Sequence, residues 1–156
     1  MTGVMRVSER SRERGIATVE FAIVLPVLLL LLFSVTELGR AMVRYNALTK
    51  ALQDGARYAA ANALLGTTGA VNVDAQLQAK VRNVVVFGNA AGGGAPILQG
   101  LQTSQILLVD AGGDQIRLEA NYPYVPLFGS VLPNFRLGSS INTAFVMQAS
   151  VSMRAL

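Results

Sequence analysis

Glu20 is the sole ionisable side chain in the run from Ile16 to Thr36, IATVEFAIVLPVLLLLLFSVT, and it sits four residues after Ile16. On insertion scales an acidic group at mid-membrane costs about 2.5–3.5 kcal/mol, and less near an edge, so it calls for a cationic partner. The plainer alternative is that Glu20 snorkels back to the headgroups along its own stem. Arg14 and Gly15 stand directly before the run. Asp110, Asp114 and Glu119 are the other carboxylates close in sequence, around a predicted hairpin; Asp110 and Asp114 flank its glycine-rich turn and read as solvated turn residues rather than catalytic groups.

The chain has no Cys and no His, which removes disulfides, thiolate nucleophiles, imidazole bases and nearly every transition-metal site. No catalytic, cofactor-binding or metal-binding residue is expected, and no enzyme activity or small-molecule substrate. With 52% apolar and 14% charged residues among 156, the composition leans toward membrane proteins. Half of the net charge of +4 comes from Arg6, Arg10, Arg12 and Arg14 set against Glu9 and Glu13. The remaining basic residues are scattered and build no nucleic-acid face. The tract Ala90-Ala91-Gly92-Gly93-Gly94-Ala95-Pro96 lacks both a following GK[ST] and a preceding strand, so it reads as a flexible loop and not a phosphate cradle.

As a helix the 21 residues from Ile16 to Thr36 span ~31 Å, a match to a ~30 Å hydrocarbon core. The arginines before it predict a cytoplasmic N-terminus and a C-terminal part outside the cytoplasm, hence a single-pass protein of the inner membrane. A cleavable secretory signal would have a shorter apolar region ending in a small-x-small site, of which Ser34-Val35-Thr36 before Glu37 is a poor version. Pro26, inside the span, deprives the Ala22 carbonyl of its donor, and it marks either a kink or melted turn or nothing at all.

The string Arg14-Gly15-Ile16-Ala17-Thr18-Val19-Glu20-Phe21 resembles the class III signal of type IV pilins and their relatives, in which a membrane aspartyl peptidase cuts after the glycine. A residue without a side chain gives that peptidase access to the backbone. The resemblance makes Gly15 and Ile16 the processing site, and the freed Ile16 amine would be cationic at neutral pH. Glu20 of a neighbouring subunit would pair with it and set the axial register. Further on, Glu20-Phe21-Ala22, Val24-Leu25-Pro26 and Glu37-Leu38-Gly39-Arg40 resemble the TadE-like pseudopilin family of tight-adherence (Flp) pilus systems, as does Ala51-Leu52-Gln53-Asp54-Gly55-Ala56-Arg57-Tyr58-Ala59-Ala60. The resemblance covers residues 14–63 well and the rest more loosely. It implies a minor pseudopilin rather than a major pilin, since Ile16 replaces the usual Phe and no Cys pair is present. The partners it implies are the prepilin peptidase, other pilus subunits, an inner-membrane assembly platform and membrane lipid. Two other readings stay open: a signal-anchored binding or adhesion module, and a type II secretion pseudopilin.

The expected organisation is a leader at 1–15, a transmembrane helix at 16–36, a helical stalk at 37–65 and a small extracytoplasmic domain at 66–156. Leu38, Met42, Tyr45, Leu48, Leu52, Ala56, Ala59 and Ala63 recur at steps of three or four, predicting an unbroken helix from 16 to 64 ended by Gly66. Arg40, Arg44, Lys50, Gln53 and Arg57 form its solvated face, with an Asp54–Arg57 pair. The strip Ala51, Gly55, Ala56, Ala59, Ala60 is a close-packing surface for the chain's own sheet or for a neighbour helix. A second helix follows from Val73 to Val85, capped near Asn72 and stopped by Gly88-Asn89.

A hairpin is predicted from Ile106–Val109 and Ile116–Tyr122, turning at 111–114, and a last strand alternates from Ile141 to Met153. The segment from Tyr122 to Phe135 is read as an apolar loop over the sheet edge, on the membrane surface, or against another subunit. The fold class is α+β: a long N-terminal helix packed on a small antiparallel sheet, pilin-like.

Overall fold

A computed structural model of the chain describes residues 6–63, 72–127, 129, 131–132, 141–142 and 144–155. Side chains are described from Gly15 on, those of 131, 132 and 141 excepted. The chain divides into two compact units: Met1–Leu38 with Pro126–Thr143, and Gly39–Val125 with Ala144–Leu156. The architecture is α+β, with a long N-terminal helix packed on a three-stranded antiparallel sheet.

Helix α1 runs Arg6–Asn62. It starts ten residues before the expected Ile16, because the Arg/Glu-rich leader is itself made of good helix formers. It ends at Asn62; Gly66, the expected terminator, lies outside the described residues. Pro26 stays inside continuous helix, so no melted turn forms there. Ser34 and Thr36 donate their hydroxyls to the carbonyls of Leu30 and Leu32 at 2.7 and 2.8 Å, leaving neither hydroxyl unpaired in the apolar stretch. That stretch is long and apolar enough to cross a membrane, and none of it is buried within the chain.

In the second unit, α1 changes character. Leu48, Ala51, Leu52, Ala56, Ala59, Ala60 and Ala63 are buried, whereas Leu38, Met42 and Tyr45 of the expected stripe are exposed. Helical spacing says which residues share a face, but not how far along the helix its partner reaches. The small-residue strip packs on the chain's own elements: a Cβ at Gly55 would run into Val85 Cγ2 and come within 3.0 Å of Leu118 Cδ2. Lys50, Gln53 and Arg57 are exposed as expected, and Arg57 lies 3.8 Å from Asp54, a surface pair of a few tenths of a kcal/mol.

Helix α2 (Ala75–Phe87) buries Leu77, Val81, Val85 and Val86. Its N-cap is Asp74, not the expected Asn72: Asp74 Oδ1 accepts from the Leu77 amide at 2.6 Å. The backbone N–H of Asn72 instead donates to the Ala63 carbonyl at 2.8 Å. Gly88 closes the helix at φ 75°, donating to the Val84 carbonyl. The tract after it is organised rather than flexible. Asn89 Oδ1 accepts from the Gly92 and Gly93 amides, while its Nδ2 donates to the Gly93 carbonyl at 2.8 Å.

Strands β1 (Ile106–Gly112), β2 (Gln115–Tyr124) and β5 (Phe145–Arg154) form the sheet in the order β1-β2-β5. The hairpin turn is tighter than the four residues expected. Gly113 and Asp114 alone make it, both at φ 61°, the positive values a two-residue turn of right-handed twist requires.

Strand β2 continues through Tyr124, taking Tyr122-Pro123-Tyr124 out of the expected loop. Strand β1 begins opposite Ala120, so Pro123 lies where β2 has β5 alone beside it and a missing N–H is tolerated. The expected last strand divides. Strand β4 (Ile141–Asn142) pairs with β3 (Val131–Leu132) in a separate ladder, and β5 begins at Phe145, itself half exposed although expected on the core face.

Two substitution pairs test this packing, read by urea unfolding of the detergent-solubilised chain through the signal of its four tyrosines. Nothing lies within 4 Å of a Cβ at Gly39, so Gly39→Ala should stabilise by about 0.5–1 kcal/mol from helix propensity. Gly55→Ala should destabilise by about 1–2 kcal/mol, because overpacking outweighs the same gain. Asp74→Ala should cost about 1 kcal/mol as a lost cap, and Asn72→Ala less than about half of that.

Candidate functional site

Gly15, Ile16, Val19, Glu20 and Ile23 line one open face of α1, brought together by the three- and four-residue spacing of a helix. Ile16 is 66% exposed, and a Cβ at Gly15 would meet nothing within 4 Å. Among the described residues, nothing pairs with the Glu20 carboxylate, which is also exposed. Chemically this is a carboxylate flanked by branched apolar side chains and directed away from its own chain. The Gly15–Ile16 peptide bond lies within continuous helix, so the Ile16 nitrogen is an amide here and carries no charge. Any protease acting at that bond must first unwind it. Gly15 is the weak point for that, since glycine costs a helix about 1 kcal/mol relative to alanine.

Glu37 behaves in the opposite way. It is 7% exposed, and its two carboxylate oxygens accept from the Leu127 backbone N–H at 3.1 and 3.3 Å. A charged acceptor makes this a stronger bond than a neutral pair. In the sequence Glu37 stands after a poor cleavage site and opens the Glu37-Leu38-Gly39-Arg40 motif, with no partner expected for it. The available signal was a carboxylate placed immediately after an apolar run, a position that demands a donor.

Arg44, expected on the solvated face, is drawn into the second unit's core edge. Its Nη1 donates to Tyr122 Oη at 3.0 Å, and its guanidinium carbon lies 5.5 Å from the centre of the Tyr124 ring. Tyr122 is fully buried, and its hydroxyl donates onward to the Gln99 carbonyl at 2.8 Å. The chain thus joins helix, sheet and the segment before β1 through one phenol, with a cation–π contact beside it.

Asp110 and Asp114 do what turn residues do, and Glu119 stands on strand β2. Asp110 accepts from the Gly112 amide at 2.8 Å, Asp114 lies 3.8 Å from Arg154, and Glu119 lies 3.8 Å from Arg117. Among the described residues no group of three acidic, His or Cys side chains could hold a metal ion.

The stretch that begins at Gly15 and contains Glu20, Glu37, Arg44 and Gly55 is the part of the chain that known proteins share: residues 15–57 match the family model described as TadE-like protein. This segment is TadE-like. The TadE-like match covers just over a quarter of the chain and leaves α2 and the whole sheet outside it. No curated protein and no solved structure matches the chain. Within the TadE-like segment, then, Glu37 and Arg44 are engaged by the chain's own residues, Asp54 lies beside Arg57, and Glu20 is the carboxylate left without a partner among the described residues.

Tyr122→Phe should destabilise the protein by about 1–3 kcal/mol, since it strands the Gln99 carbonyl and the Arg44 donor together. Tyr45→Phe, at a half-exposed phenol, should change the same unfolding midpoint little, by less than about 0.5 kcal/mol.

Proposed function

We propose that this chain is a minor pseudopilin, a structural assembly protein of a tight-adherence pilus, processed between Gly15 and Ile16. The observation that carries the reading is the coincidence, in one segment, of the TadE-like match, a membrane-length apolar helix and an exposed carboxylate four residues after Ile16.

The leader 1–15 stays on the cytoplasmic side of the inner membrane, held there by its arginines. Residues 16–36 span the bilayer, and the chain from 37 on, with its α+β domain, lies outside the cytoplasm. A prepilin peptidase adds water across the Gly15–Ile16 bond, leaving a carboxylate on Gly15 and an ammonium on Ile16. In hydrocarbon that ammonium and a neighbour's Glu20 each carry a desolvation cost, and each is the other's nearest remedy. Pairing fixes the axial offset between neighbours to about one helical turn, roughly 5–6 Å. The remaining partners are those the TadE-like match suggests for such a subunit: other pilus subunits, the membrane platform that handles them, and lipid before assembly.

Mass spectrometry of the protein from its native envelope should give a mature N-terminus at Ile16. Gly15→Leu should leave the leader attached. Glu20→Ala should be cut normally and stay in the membrane while pilus assembly falls at least tenfold. Recovery of the native protein with its leader still attached overturns the processing. Normal pili from Glu20→Ala overturn the pairing and favour an anchored binding module.

A further inference from the structure

The surroundings of Glu37 are inverted relative to a protein surface in water. The carboxylate is buried, while Val35, Leu38 and Leu127, its neighbours in sequence or through the hydrogen bond, are 62%, 58% and 54% exposed. All belong to the first unit, which joins the apolar helix to the segment from Pro126. Water would reward the reverse arrangement, with the charge outside and the aliphatic groups covered. Lipid rewards the one observed. The contact also has a defined level: Glu37 is the first residue past the apolar stretch that ends at Thr36, so Leu127 is fastened where that stretch runs out. A backbone entering the bilayer boundary needs an acceptor for every N–H, and Glu37 supplies one to Leu127 with both oxygens.

We infer that Leu127 is a second membrane contact of this chain, an interfacial anchor at the acyl–headgroup boundary of the leaflet where the span ends, tethered there by Glu37. The occupant of this apolar surface is lipid, because Glu37 ties the exposed Leu127 to the end of the membrane-length apolar stretch, where Val35 and Leu38 are exposed as well. The inference rests on the reading of residues 16–36 as a membrane span. Its consequence is a chain held at two points, so that leaving the bilayer for an assembly requires releasing Leu127 as well as the helix.

The chain contains no Cys, so a single introduced thiol is the sole labelling point. Full-length Leu127→Cys, Leu28→Cys and Gln148→Cys proteins are spin-labelled and reconstituted in phosphatidylcholine–phosphatidylglycerol vesicles. Collision with oxygen, which concentrates in lipid, is compared with collision with a water-soluble nickel chelate. The oxygen-to-nickel ratio at 127 is expected several-fold above that at 148 and below that at 28. Adding Glu37→Ala should bring the ratio at 127 down toward that at 148.

A ratio at 127 equal to that at 148, with 28 deep in lipid, overturns the anchor alone. An aqueous 28 overturns the membrane span and the anchor with it. Dipolar broadening at 127 that vanishes on dilution with unlabelled protein assigns the surface to a second copy instead. An unchanged ratio in the Glu37→Ala background overturns the tether.

Discussion

A helix that leaves water has to carry its own hydrogen bonds, and any charge it keeps has to find a partner outside itself. The first requirement explains small features of α1. Ser34 and Thr36 fold their hydroxyls back onto carbonyls one turn earlier, and the helix passes through Pro26 at the loss of one bond. The second requirement makes Glu20 the most consequential residue in the chain. From Gly15 on, every other side-chain carboxylate accepts a hydrogen bond or lies beside an arginine; Glu20 does neither among the described residues.

Beyond Gly39 the same helix is covered on one face by the chain's own elements. Its partners there are a sheet and a second helix, and the residues that face them are mostly alanine, with Gly55 at the tightest approach. Small residues let the α1 backbone come close enough for Val85 and Leu118 to fill the space a side chain would take. This matters in a domain without disulfides, which holds together by packing and hydrogen bonds alone. The Arg44–Tyr122–Gln99 chain adds direction to that packing, because a buried phenol with both of its hydrogen-bond roles filled is costly to leave half satisfied.

Residue patterns made some of this readable and some of it not. Period-two alternation from Ile116 placed Tyr122 on the core face, and the three-and-four repeat from Leu48 to Ala63 marked the buried stripe of α1. Both are local signals, carried by neighbours in sequence. The same repeat overran at Leu38, Met42 and Tyr45, where the helix continues and its covering does not. Asn72 and Asp74 are equally good cap residues by type, and only the backbone geometry at 74 chose between them. The division of the expected last strand into β4 and β5 depends on what β3 pairs with, information no alternation pattern contains. Arg44 looked like one of several surface cations because its partners come from a strand far along the chain.

Glu20 and Glu37 make the limit sharpest. Each sits near one end of the same apolar run, and nothing in residue type separates them. Geometry does. Glu37 meets a backbone donor brought 90 positions along the sequence, and that bond closes its chemistry within the chain. Among the described residues Glu20 has only its own helix around it, in an apolar segment that offers no cation. A carboxylate satisfied in cis stabilises a fold, whereas one left open in an apolar setting favours any state that brings it a positive charge. The difference between holding a chain together and joining chains to one another therefore lies in where the donor comes from, and for Glu20 the described residues of its own chain supply none.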